Sequence, residues 1–298
     1  MKNDTKLFPR PLSSVARYLY DSVSFSRLIH KMSQEKPIGV FDSGVGGLTV
    51  LRHIRTMLPA EDLIYLGDTA YVPYGTKSAE IIRQRAEQIV RYFIEQHQVK
   101  AVVIACNTAT SAAVQHLRQV FDIPVIGMEP GVKPAVRLSK SGTVGVLATE
   151  STLKSEKFQN LVNRFGEQTR VMTQHCSGLV ELIEQGKQES AETRELLSRY
   201  LQPLLDQQAD TIVLGCTHYP FIAPLIKELT HGSVEIVETG SAIAKHVQNI
   251  LNDGQLLNER FGTGSVQFLA TSYDGVIEDR FSLFWGAEAN VQYLDLDE

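Results

Sequence analysis

From Pro37 onward, short apolar runs rich in β-branched residues alternate with longer amphipathic stretches. This alternation restricts the fold more than any other feature, because strand-then-helix repeats assemble as βαβ units around mainly parallel sheets. Strands are expected at Ile38–Phe41, Leu63–Leu66, Ala101–Ala105, Val125–Gly127, Val144–Ala148, Val171–Thr173, Thr211–Leu214 and Val234–Val237. Helices are expected at Leu48–Leu58, Ala79–Gln96 with Ser78 as its N-cap, Ala109–Val120, Leu153–Phe165 and Glu192–Gln207. The tail is less regular, with short strands at Val266–Ala270 and Val291–Leu294.

Open parallel sheets bind ligands at the carboxyl ends of their strands. Three such ends carry converging polar groups: Asp42-Ser43-Gly44-Val45-Gly46-Gly47, Cys106-Asn107-Thr108 and Cys216-Thr217-His218. Two of them read as copies, since Val102–Thr108 is VVIACNT and, 110 residues on, Ile212–His218 is IVLGCTH. The repeat implies an α/β protein of two pseudosymmetric lobes, its active site in the cleft between them and one thiol supplied by each. Paired acid/base groups on opposite sides of a carbon suit a reaction that inverts a stereocentre.

Other readings of these residues are weaker. The glycine-rich turn lacks G-x-G-x-x-G spacing, and only Asp68 stands near the place of a ribose-binding acid, so a nucleotide is disfavoured. Glycines here permit a tight turn and bring backbone N–H groups close to an anion, for which a carboxylate ligand would serve. His175, Cys176, Cys216 and His218 do not have the spacing of a structural zinc site, and no metal is expected. Cys176 reads as a small buried hydrophobe.

The first 36 residues carry seven Lys or Arg against three Asp or Glu, so the remaining chain is strongly acidic within a net charge of −5. Nucleic acid is therefore not expected as the main partner. The leader has helical apolar spacing but no continuous apolar core of a secretory signal, and it is set aside as a basic extension. No apolar run approaches the roughly 18 to 20 residues of a membrane span. Three cysteines make no disulfide framework and suit a reducing cytoplasm.

The blocks Phe41–Leu48 (FDSGVGGL), Pro73-Tyr74-Gly75, Ala105–Ala109 (ACNTA) and Leu214–Pro220 (LGCTHYP) resemble the signatures of glutamate racemase, in family order from about Ile38 to about Ile250. The resemblance implies a cofactor-independent bacterial isomerase that makes D-glutamate for peptidoglycan. It implies lobes formed by 37–133 plus 242–298 and by 134–241, and a homo-oligomer, a dimer.

It also assigns roles. Cys106 deprotonates D-glutamate and Cys216 deprotonates L-glutamate, with Asp42 assisting the first thiol and His218 the second. A free thiol with a pKa near 8.5 is mostly protonated at neutral pH, so it needs such help beyond the helix N-termini expected after each cysteine. Asp68 and Glu184 match two further acidic positions, although Glu184 also fits a capping or solvated carboxylate. Asp42, Ser43, Asn107, Thr108, Thr149, Thr152, Thr217 and His218, with backbone N–H groups near Tyr74 and Gly75, are the candidates for holding substrate. Some Gram-negative members with N-terminal extensions are activated by UDP-N-acetylmuramoyl-L-alanine, so the same activator is expected here. A racemase for aspartate or another amino acid would keep both thiols and is the alternative.

Overall fold

The computed structural model describes residues 31–166 and 169–297; most of the basic leader lies outside them. In chain order, β1 (Ile38–Asp42) leads into α1 (Leu48–Met57), β2 (Leu63–Gly67) into a 3-10 turn (Tyr74–Thr76) and α2 (Ala79–His97), and β3 (Ala101–Ile104) into α3 (Asn107–Val120). Next come β4 (Val125–Ile126), α4 (Val132–Leu138), β5 (Thr143–Ala148), α5 (Glu150–Lys154), α6 (Glu156–Phe165), β6 (Arg170–His175), α7 (Leu179–Glu184), α8 (Ala191–Leu205), β7 (Thr211–Leu214), α9 (Ala223–Leu229) and β8 (Glu235–Val237). The chain continues with α10 (Gly240–Asp253), β9 (Val266–Ala270), α11 (Ile277–Trp285) and β10 (Val291–Tyr293).

These strands make two sheets, β10-β9-β2-β1-β3-β4 and β6-β5-β7-β8, in which every pairing is parallel. The α/β class with flanking helices is as expected. The repeat extends to topology, because β2-β1-β3-β4 and β6-β5-β7-β8 are the same order of strands. Each sheet reverses direction of winding beside its first strand, opening a crevice between β1 and β3 and another between β5 and β7. Cys106 follows β3 and Cys216 follows β7, so the two thiols occupy equivalent crevices. β1, β3, β5 and β7 are buried along their whole length, as strands covered by helices on both faces must be.

The tail strands extend the first sheet, β9 pairing with β2 and β10 with β9. Two helices differ from expectation. The stretch Leu153–Phe165 is two helices, because Ser155 adopts an extended backbone and its hydroxyl accepts from the Phe158 N–H, starting a new helix. After Cys216 no α-helix begins at once: a 3-10 turn over Tyr219–Ile222, with Pro220 early in it, delays α9 to Ala223.

Candidate active site

One small pocket is lined by Ser43, Tyr74, Gly75, Cys106, Asn107, Thr108, Thr149, Cys216, Thr217 and His218, with Pro73 and Val180. Its walls come from both sheets. Cys106 is the N-cap of α3, with its sulfur 3.5 Å from the Ala109 N–H. That contact favours a thiolate, but burial, the neighbouring Asp42 carboxylate and the Cys216 sulfur outweigh it and push the Cys106 thiol well up. Asp42, at the end of β1, is itself wholly buried. Burial raises its carboxyl against the lowering influence of His218, of the Cys106 hydrogen bond and of the Ser43 and Gly47 amides. Burial thus favours the thiol form of Cys106, with the Asp42 carboxyl beside it.

The second thiol is served differently. His218 Nδ1 lies 3.7 Å from Cys216 Sγ, and Nε2 lies 2.6 Å from Glu184 Oε1 at the end of α7. Burial alone would depress the ring, yet its hydrogen bonds to Cys216 and Glu184 and the Glu184 charge hold it well above the usual histidine range. An imidazole whose orientation is fixed by a buried carboxylate therefore stands against Cys216. Glu184 is part of this assembly, not a solvated cap. The same Oε1 accepts the Val45 N–H at 2.8 Å, and Asp42 Oδ2 accepts the Gly47 N–H at 2.8 Å. Two amides of the glycine-rich turn are thus used on the protein's own carboxylates rather than on a ligand anion.

Close approach explains the glycines. A Cβ on Gly44 would overlap Glu184 Oε1, one on Gly46 would overlap the His218 ring, and one on Gly47 would lie 2.7 Å from Asp42 Cβ. Tyr65 closes the turn from below, its hydroxyl donating to the Gly44 carbonyl at 2.6 Å. Sequence reasoning passed over this residue; its signal is a tyrosine among aliphatic neighbours on a strand expected to be wholly buried.

Asn107, the first residue of α3, is buried with neither amide atom partnered within the protein. Such a group pays a desolvation cost that a substrate carboxylate and ammonium would recover. Thr108 hydrogen-bonds both Thr149 at 2.9 Å and Thr152 at 3.2 Å. Thr149 lines the pocket, whereas Thr152 stands behind it. Asp68 also lies behind the wall, its oxygens taken up by Tyr74, Arg85 and Thr271. His175 is exposed, apart from the buried Cys176 and Cys216, and among the described residues no group of three or more His, Cys, Asp and Glu is arranged to hold a metal. Cys176 packs in the apolar core, and burial raises its thiol.

Two buried thiols on one pocket, one beside the Asp42 carboxyl and the other beside the His218 imidazole, equip an enzyme to take a proton from one face of a carbon and return one to the other, which is the work of a racemase or epimerase. Comparison with known proteins agrees with this class. Residues 38–247 match the family model described as Asp/Glu/Hydantoin racemase. The glutamate racemase of Methylococcus capsulatus is 52% identical over 251 residues, covering 84% of this chain and 92% of that protein. The crystal structure of the Francisella tularensis glutamate racemase with D-glutamate matches with a TM-score of 0.77 at 31% identity, over 89% of this chain and 99% of that one. The Escherichia coli glutamate racemase, in complex with L-glutamate and the activator UDP-MurNAc-Ala, also gives a TM-score of 0.77 at 31% identity, over 87% and 98% of the two chains. The chain belongs to the Asp/Glu/hydantoin racemase family, among its glutamate racemases.

Proposed function

We propose that this enzyme interconverts L- and D-glutamate by a two-thiol proton transfer at the α-carbon and so supplies D-glutamate for peptidoglycan. The observation that carries the mechanism is the placement of Cys106 and Cys216 at equivalent crevices of two like-ordered sheets, both on one pocket.

From L-glutamate, the Cys216 sulfur takes the α-proton, the C–H electron pair passes to the α-carbon and its carboxylate, and the Cys106 S–H delivers a proton to the opposite face. Roles exchange from D-glutamate. His218, oriented by Glu184, carries the proton lost by Cys216, and Asp42 does the same for Cys106. Asn107, Ser43, Thr108, Thr149 and Thr217, with the Tyr74-Gly75 backbone, hold the ammonium and carboxylates. Burial of these donors strengthens their effect on the carbanion, because water does not compete with them. Residues 37–133 with 242–298, and 134–241, are the two lobes.

Purified enzyme without added cofactor should racemise either enantiomer of glutamate, followed by loss of optical rotation. Cys106→Ala and Cys216→Ala should each lower kcat by at least about 10³-fold. Full activity in both variants, or faster turnover of aspartate, would overturn the assignment. By analogy with the Escherichia coli enzyme, UDP-N-acetylmuramoyl-L-alanine should raise turnover, and unchanged rates at saturation would remove it as an activator. Free thiols at Cys106, Cys176 and Cys216 support a cytoplasmic setting, and no described helix is long and apolar enough to cross a membrane. A homodimer in solution, measurable by light scattering, completes the proposal.

A further inference from the structure

Asp68 opens the loop after β2, wholly buried and without contact to either thiol among its hydrogen bonds. Its Oδ2 accepts the Tyr74 hydroxyl at 2.6 Å. Arg85, reaching in from α2, clasps the same carboxylate side-on, Nε to Oδ2 at 3.1 Å and Nη2 to Oδ1 at 2.9 Å. Thr271 adds a hydrogen bond to Oδ1 at 2.8 Å. On its outer side Arg85 donates from Nη1 to Asp297 Oδ1 at 2.7 Å and to Gln88 at 3.1 Å, and its guanidinium lies 4.1 Å over the Tyr71 ring. Every step of this chain from Asp297 to Tyr74 is a charge-assisted hydrogen bond, and its inner end is a wall of the substrate pocket.

We propose that Arg85 is a positioning residue for substrate binding: it fixes Asp68, which holds the Tyr74 hydroxyl and thereby the Pro73-Tyr74-Gly75 wall, while Asp297 locks Arg85 from outside. This rests on the racemase reading above. A buried carboxylate without its guanidinium would lose its fixed orientation or draw in water. Either change frees the Tyr74 ring and lets the wall move. Lysine keeps the charge but not the side-on fork, so it is the informative replacement.

KM and kcat for both enantiomers, and Kd for D-glutamate by calorimetry, are compared for wild type, Arg85→Lys, Tyr74→Phe and the double variant, with thermal melting alongside. Arg85→Lys should raise KM and Kd about tenfold, as loss of one charge-assisted hydrogen bond does, with kcat within about twofold. In the Tyr74→Phe background the same replacement should add no more than about twofold, because the hydroxyl through which it acts is gone. Asp297→Asn should shift KM the same way by less. Thr271→Val, which removes one bond to Asp68, should repeat the non-additivity and replaces Arg85→Lys in the cycle if that variant does not fold. Equal multiplication of KM by Arg85→Lys in both backgrounds, or a lowered Tm with KM and Kd unmoved, would overturn the proposal. Wild-type protein that binds D-glutamate but does not racemise it would instead overturn the racemase reading, and the Kd comparison would still decide the role of Arg85.

Discussion

At the scale of single residues, the site depends on a turn in which missing side chains matter as much as present ones. Gly44 and Gly46 stand where a methyl group would meet Glu184 and His218, and the amides between and after them hold Glu184 and Asp42. Gly44→Ala should therefore act through Glu184. We expect it to lower kcat about as much as Glu184→Gln does, on the order of 10²-fold, and the double variant to lose no more than the worse single one. Additive losses would show that the two residues act separately. Glu184→Gln should also lower the pKa of His218, because it removes a carboxylate that holds the ring up; an NMR titration of the ring in both proteins measures this, and an unmoved pKa would contradict it. The thiols were legible from the sequence because VVIACNT and IVLGCTH are local patterns. Glu184 was not legible without the family resemblance, because Val45, whose amide it binds, lies 139 residues away. The turn was read as a cradle for a ligand anion, and two of its amides proved to serve the protein's own carboxylates.

At the scale of elements, apolar period located the strands well, including the tail strands, because a buried parallel strand is a dense apolar run. Helix starts were less legible. Side-chain caps decided them, with Cys106 placing the start of α3 two residues before the expected Ala109 and Ser155 dividing one expected helix into two. Short helices such as α7 and α9, with too few turns to display a period, passed unread. A long-range side-chain contact fixes the entry to β5, where Asp210 accepts from the Ser139 hydroxyl at 2.6 Å and from the Lys140 and Ser141 amides at 2.7 and 2.6 Å. Burial alone would raise this carboxyl, but these hydrogen bonds draw it down to about 2. A depressed carboxyl stabilises the fold above its unfolded value, near 4, and that contribution fades as pH falls toward 2. Asp210→Asn should cost about 1 kcal/mol at pH 7, seen as a lower urea midpoint, and the gap from wild type should close between pH 4 and 2. A gap constant over that range would refute the assignment.

At the scale of the whole molecule, two sheets of the same strand order present equivalent crevices to one pocket, so a reaction with mirror-related halves has mirror-related bases. The pseudosymmetry is incomplete in a useful way. Cys106 is backed by a carboxylate at the end of its own sheet, whereas Cys216 is backed by an imidazole whose carboxylate is tied to the other sheet through Val45. In the sequence the family resemblance alone distinguishes the two partners, Asp42 and His218, whereas the tie from His218 through Glu184 to Val45 emerges only in the fold. The arrangement makes a definite demand on the fate of protons, because the thiol that delivers a proton is never the one that removed it. The most direct test runs the reaction in heavy water from a single enantiomer of glutamate and examines both enantiomers by mass spectrometry at low conversion. Two opposed thiols predict α-deuterium in the product and an unlabelled remaining substrate; substrate-derived α-proton carried into the product, or deuterium appearing equally in both enantiomers, would contradict them.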